Sequence, residues 1–331
     1  MIELEEKKEN ELGDLKAEWE GLLEGCPDAT PFQFPQWIIP WWRNFGGSVF
    51  KMPVMRCEGK LAGLVPLFIY KTETGKKKLC FTGTGISDYL DLVAVSGKRK
   101  EVTGVFVKYL LKIAEQWDEI DLQDIPEGSP LLRAEFPESL CFEKSRWSVC
   151  PYLDLPESSK SLEYRIPKKL RNNIRSASKG LLQLNEYRME RAESGNLELF
   201  LGELFRLHGK RWESRNQSGV LNSSLLRDFY HQSAPELLAS GLLRLYTLRC
   251  GDSAVACYYV LVRAEKAYAY LGGFDPAFAQ YSPGSLALFN VISDSIDKGI
   301  TVFDFMRGAE AYKYYWRPAE KYNYRIRVLK K

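Results

Sequence analysis

Apolar side chains recur along this chain at two spacings, and the alternation between them predicts an α/β architecture with mixed sheets. Leu12, Leu15, Trp19, Leu22 and Leu23 repeat at helical spacing, so residues 3–24 read as one amphipathic helix stopped near Gly25 and Pro27. Residues 32–45 form a second helix, dense in aromatics and closed by Gly46 and Gly47. Residues 52–70 alternate apolar with polar and turn at Glu58-Gly59-Lys60, the pattern of a hairpin. A strand region at 79–95 leads to a helix over 100–116 and a strand over 119–124. A helix over 131–140 and one or two strands over 142–155 complete the first half.

The second half repeats this plan. A basic helix spans 161–180, a strand 183–189, and helices follow at 197–213 and 223–240. A hairpin covers 242–262, then come a strand at 266–272, a helix at 282–298, a strand at 301–306 and a last strand at 322–329. Val54-Met55-Arg56-Cys57-Glu58-Gly59 opens the first hairpin much as Thr247-Leu248-Arg249-Cys250-Gly251-Asp252 opens the second. Each leads through a strand and a helix to a strand carrying an acid, Asp121 or Asp304. The shared order predicts a duplicated α/β unit, with domains at 1–155 and 156–331.

Composition agrees and narrows the function. With 331 residues, 45% hydrophobic and 27% charged, the chain has the balance of a globular protein large enough for two domains. A net charge of +3 gives no global attraction to DNA or to an anionic membrane. The seven cysteines are odd in number and scattered, and only two histidines exist, which argues against a disulfide framework and against a metal site. The acidic first residues lack a secretory pattern, and the longest apolar run, 61–70, is far shorter than the ~20 residues that span a bilayer. No membrane span and a cytoplasmic location are expected.

Four segments carry candidate chemistry. Tyr281-Ser282-Pro283-Gly284-Ser285 opens a helix after a strand, with Ser282 as N-cap; such an end offers free N–H groups to phosphate, although a plain capped helix is the simpler explanation of the loop taken alone. In 303–316 a strand breaks at Gly308, and Asp304, Glu310, Tyr312 and Lys313 gather around the break, either as acid–base groups or as a salt-bridged turn. Lys168, Lys169, Arg171 and Arg175 flank a buried stripe of Leu170, Ile174 and Ala177, leaving cations for a solvated face or a phosphorylated ligand. His208, Arg211 and Trp212 share a helix, without the serine motif of a hydrolase. Trp37, Trp41 and Trp42 lie at helical spacing and read as core rather than as a ligand platform.

In their order these segments resemble the GNAT superfamily, specifically the CelD-like acetyltransferases related to the FemAB peptidyltransferases. The resemblance rests on F-x-x-x-x-W…WW-x-x-F-G from Phe32, P-Y-L-D-L from Pro151, K-x-L-R-x-N-x-R from Lys168, L-H-x-x-R-W from Leu207, Y-S-P-G from Tyr281 and F-D-F-x-x-G-x-E-x-Y-K from Phe303. It implies two tandem GNAT-like units, with acyl-CoA held by the second. The pantetheine arm would lie beside the strand at Tyr270, Leu271 and Gly272, and the diphosphate at Gln280, Tyr281, Ser282, Gly284 and Ser285. The usual glycine-rich phosphate loop survives only as Gln280 and Gly284. The resemblance further implies acetyl transfer from acetyl-CoA to an amine or hydroxyl of a small-molecule or sugar acceptor, in polysaccharide or cell-envelope biosynthesis.

Under that implication Asp304 or Glu310 deprotonates the acceptor, Lys313 steadies charge, and Tyr312 protonates the leaving thiolate. Lys169, Arg171, Arg175, His208, Arg211 and Trp212 are candidates for binding the acceptor. Two alternatives stand beside this expectation. One is FemAB-like transfer from aminoacyl-tRNA, the sole case in which RNA is a partner. The other is a non-catalytic GNAT-like binding module.

Overall fold

The computed structural model describes residues 2–213, 221 and 223–331, which form two compact units. Met1–Val149 and Lys321–Lys331 make up the first unit, and Cys150–Glu320 the second. The last strand of the chain thus returns to the first unit.

In the first unit, β1 (Ile2–Lys7) pairs antiparallel with β2 (Val49–Cys57), from Ile2 opposite Cys57 to Lys7 opposite Met52. The helix expected over 3–24 is thus shorter; α1 begins at Leu12 and runs to Glu24. The reason is non-local. Backbone pairing with β2 holds the segment as a strand, and Glu5 and Glu6 meet Arg56 and Lys51 of β2, each at 2.7 Å. After α2 (Pro35–Phe45), the sheet adds β3 (Lys60–Leu64), β4 (Leu67–Lys71), β5 (Lys77–Phe81) and β6 (Val93–Ala94). α3 (Arg99–Lys112) leads to β7 (Glu119–Pro126).

The helix expected over 131–140 is only a 3-10 turn at Pro130–Arg133. Pro137 cannot continue a helix, and Leu140 already opens the long strand β8 (Leu140–Asp154). β14 (Ala319–Lys330) pairs with β7, from Asn323 opposite Pro126 to Leu329 opposite Glu119. Asp121, 2% exposed, receives both Nε and Nη2 of Arg325 at 2.6 and 2.7 Å. A buried carboxylate needs such a partner, so Asp121, the first-half counterpart of Asp304, has a structural role.

The second unit opens with two helices where one was expected over 161–180. Pro167 forces Ile166 into an extended conformation and separates α4 (Ser159–Arg165) from α5 (Lys168–Leu184). Leu170, Ile174, Ala177 and Leu181 form the buried stripe of α5. β9 (Tyr187–Arg191), α6 (Leu197–Glu213) and α7 (Ser224–Ala239) follow. Next come β10 (Leu243–Cys250), β11 (Ser253–Arg263), β12 (Lys266–Phe274), α8 (Pro283–Asp297), β13 (Val302–Asp304) and the short α9 (Ala311–Tyr314). Tyr152–Asp154, at the end of β8, joins β13, and the order continues β13-β12-β11-β10-β9. α6 and α8 cover this sheet, and Gly273 marks where α6 crosses β12. A Cβ there would lie 2.5 Å from the His208 nitrogen, a backbone atom with no room to yield.

Candidate active site

The site follows from a strand pair that parts. β12 and β13 run parallel and pair only at Lys266–Tyr268 with Val302–Asp304. β12 continues to Phe274, so Tyr270, Leu271 and Gly272 lie half-exposed beyond the pairing. A register shift between Tyr259 and Val260 leaves Tyr270 bulged, and its hydroxyl lies 3.0 Å from that of Tyr230. The Gly272 carbonyl accepts Nη1 of Arg211 at 3.1 Å.

From β12 the chain enters a 3-10 turn at Pro276–Tyr281, capped by Asp275, whose Oδ1 accepts the Ala277 N–H at 3.1 Å. Burial works to raise the Asp275 pKa, but hydrogen bonds from Lys210 and Ala277 outweigh it and hold the carboxylate below its usual range. α8 begins differently from the expected capped helix. Ser282 occupies the N-cap position with φ 46° and ψ 47°, in the left-handed region, and its side chain makes no cap bond. The N–H groups of Ser285 and Leu286 turn to the Ser282 carbonyl, Pro283 has none, and that of Gly284 has no acceptor among the described residues. The end of a fifteen-residue helix is thus left open toward a cleft.

That cleft has a volume of about 530 Å³. Of the residues predicted from sequence, Arg211, Ser282, Gly284, Ser285, Glu310 and Tyr312 line it. Arg211 sits 5.8 Å from the Phe274 ring and 5.7 Å from the Tyr312 ring, a cation between two aromatic faces. Burial, with a further push from Glu310, raises the Tyr312 phenol to about 12 against a smaller lowering by Arg211. Sequence reasoning missed Tyr258, Phe274, Leu170, Tyr315 and Trp316, which also line the cleft. Their signal was ordinary apolar periodicity, which does not separate a core residue from a cleft wall. Burial raises the Tyr258 phenol, whose hydroxyl donates to the Gly284 carbonyl at 3.3 Å.

Other predicted residues do not line this cleft. Asp304 is 1% exposed, and its Oδ1 accepts the Met306 N–H at 2.7 Å. Lys313, 2% exposed, donates to the carbonyls of Met306, Arg307 and Gly308 at 3.0, 2.8 and 3.2 Å, and meets Glu310 at 2.8 Å. Together these two side chains hold a turn in which Met306 has φ 66° and Gly308 φ 108°. Gln280 is exposed, and the Tyr281 ring packs on Gly180 of α5. Lys169 and Arg175 are exposed, Arg171 is half-buried, and Arg175 pairs with Glu163 at 2.7 Å. His208 is buried; its Nε2 accepts Trp212 Nε1–H at 2.9 Å, which puts the proton of the neutral ring on Nδ1. Burial, then the Arg211 charge, lowers His208 to about 4.

Among the described residues no cluster of His, Cys, Asp and Glu is arranged to hold a metal ion, and no helix is long and apolar enough to cross a membrane. A model of the acetyltransferase (GNAT) domain family matches residues 168–314. No curated protein matches the chain by sequence. FemX superposes with a TM-score of 0.67 at 13% identity, over 98% of this chain and 96% of its own. A conserved protein of unknown function from Bacteroides thetaiotaomicron gives 0.60 at 13% identity, over the whole of both chains. A tandem GNAT protein from the clavulanic acid biosynthesis pathway gives 0.51 at 11% identity, over 98% of each chain. At these identities the likeness is one of fold.

Proposed function

From a chain whose residues 168–314 belong to the GNAT acetyltransferase family, we infer an acyltransferase that moves an acetyl or related acyl group from CoA directly to an acceptor. The acceptor is an amine or hydroxyl of a small molecule or sugar, and the reaction belongs in the cytoplasm. One observation carries this reading: the open stretch of β12 and the open end of α8 serve one unit, and the α8 end lines an aromatic-walled cleft.

These features fit an acyl-CoA. Gly284 and the partial positive charge of the α8 N-terminus would take the diphosphate, and the open stretch of β12 would take the amides of the arm. When bound, an acyl-CoA supplies a thioester carbonyl open to attack. Glu310 is the better candidate of the two carboxylates to accept the acceptor's proton, because it lines the cleft with its side chain 53% exposed. Asp304 is enclosed and bound to Met306, which gives it a positioning role. Tyr312, still protonated well above neutral pH, can donate to the departing sulfur.

CoA should raise the melting temperature of the wild-type protein, and acetyl-CoA should release thiol against a panel of amines and amino sugars. Glu310→Gln and Tyr312→Phe should each lower turnover about 100-fold while keeping the CoA stabilisation. Wild-type turnover in both variants would remove their assigned roles, and a protein that CoA does not stabilise would remove the reading itself. A second reading, aminoacyl transfer from tRNA, is favoured by Lys168 and Lys169, exposed in the first turn of α5 where cations oppose the helix dipole. Salt-dependent retention of RNA, abolished by Lys168→Ala with Lys169→Ala, would support it.

A further inference from the structure

The first unit contains its own parting of parallel strands. β5 and β7 pair only at Lys78 with Glu119 and Leu79 with Ile120. Cys80, on β5, and Gln123, on β7, then line a cleft of about 360 Å³, within the usual range for small-molecule sites of roughly 300–1,000 Å³. Its walls are Trp41, Phe45, Phe68 and Tyr70, and no lining side chain is an acid, a lysine or an arginine.

The polar groups here are few and held in place. Trp41 is 4% exposed, yet its indole N–H has no acceptor among the described residues. Gln123 donates Nε2 to Asp121 Oδ2 at 3.1 Å, and Asp121 is itself fixed by Arg325. This orients the amide, because only the NH2 end can face a carboxylate, and leaves its carbonyl oxygen for another donor. The Tyr70 hydroxyl also lacks a partner among the described residues. The cleft therefore presents an N–H donor, a carbonyl acceptor and a hydroxyl beside aromatic faces.

We propose that this cleft of the first unit binds a neutral saccharide ring. Aromatic faces are electron-rich and attract the polarised C–H groups of a pyranose, while uncharged donors and acceptors suit its hydroxyls. A nucleobase fits the same polar groups, but it stacks best on a flat, open aromatic face. Here Trp41 is inclined 49° to both Phe45 and Phe68, which makes a concave wall for a puckered ring rather than a flat slot. The inference stands apart from the acyl-transfer reading, which concerns the second unit.

The test is saturation-transfer NMR on the full chain with N-acetylglucosamine, methyl glucoside and maltose, and with adenosine and uridine as controls. At least one saccharide should bind saturably at concentrations up to about 10 mM, with transfer strongest to ring C–H protons. Trp41→Phe, which keeps an aromatic ring and removes the N–H, should weaken it about five-fold. Tyr70→Phe and Gln123→Ala, at half-exposed positions that should leave the fold intact, should act in the same direction. Absence of saturable saccharide binding, saccharide binding unaffected by all three variants, or binding of the nucleosides in place of saccharides would each overturn the proposal. Stabilisation by CoA should be unchanged in the variants. Its absence from the wild type, with saccharide binding intact, would count against acyl transfer alone.

Discussion

Replacing Lys313 by Met separates two roles for that residue. The ammonium is almost wholly enclosed, with three backbone carbonyls at 2.8–3.2 Å and the Glu310 carboxylate at 2.8 Å. The ion pair itself is a minor contribution, at most about 1 kcal/mol, because Glu310 is 53% exposed to solvent. The carbonyl bonds matter more, at about 1.5–3 kcal/mol each for a charged donor, but water can reach Arg307 and Gly308 once the ammonium is gone. A net loss of about 1–3 kcal/mol follows, the cost of leaving a buried carbonyl acceptor without its donor. For a unit of this size that corresponds to a melting temperature lower by about 2–12 °C.

Calorimetry of wild type, Lys313→Met and Lys313→Arg should show that loss, with Arg intermediate because it keeps the charge but not the compact three-way geometry. Turnover measured below each variant's transition should fall together with CoA binding as the turn loosens. A Lys313→Met protein that melts with the wild type but loses turnover about 100-fold would refute this reasoning. Lys313 would then act on the reacting groups, as first expected.

Other consequences are as direct. The His208 pKa of about 4 lies below the ordinary value near 6.5, so the unfolded chain takes up a proton that the folded one refuses. Stability should fall as pH drops from about 6.5 to about 4, by about 3 kcal/mol at most, and His208→Gln should flatten that slope in urea titrations; an equal slope would exclude His208 as its source. For Asp121, burial raises the pKa but Arg325 prevails and lowers it. Its contribution is complete above about pH 3.9 and lost as pH falls through the lower folded value, so Arg325→Met should move the acid-unfolding midpoint upward. Gly273→Ala should destabilise by about 1–3 kcal/mol because its Cβ meets α6 backbone, whereas Gly284→Ala, whose Cβ would sit 3.6 Å from Phe274, should melt close to wild type. Equal melting temperatures for these two would contradict the packing described.

What the sequence made legible was local. The buried stripe of α5, the start of α8 at Pro283 and the hairpin at Gly251 follow from side-chain periodicity and turn chemistry, which act within a few residues. β1 escaped because its strand character depends on pairing with β2, some fifty residues away. Lys313 looked chemical because a lysine beside carboxylates and tyrosines has that pattern, while the carbonyls that claim it carry no signature in side-chain identity. Trp41 read correctly as core, yet the same ring also walls a cleft, a distinction that helical spacing does not encode. Asp121 and Asp304 matched in position, but only the returning strand β14 shows that the first is bound to an arginine.

That return sets an order of events during synthesis. Lys321–Lys331 is synthesised after all of Cys150–Glu320, so the first unit waits for its last strand until the whole second unit has been made. Until then Asp121 has no Arg325, and one side of β7 offers unpaired backbone groups to any passing strand. The usual sequence of domains folding one after another from the N-terminus is therefore inverted in its final step. The first unit closes last, and a chaperone with a preference for exposed strand edges would have its longest opportunity there.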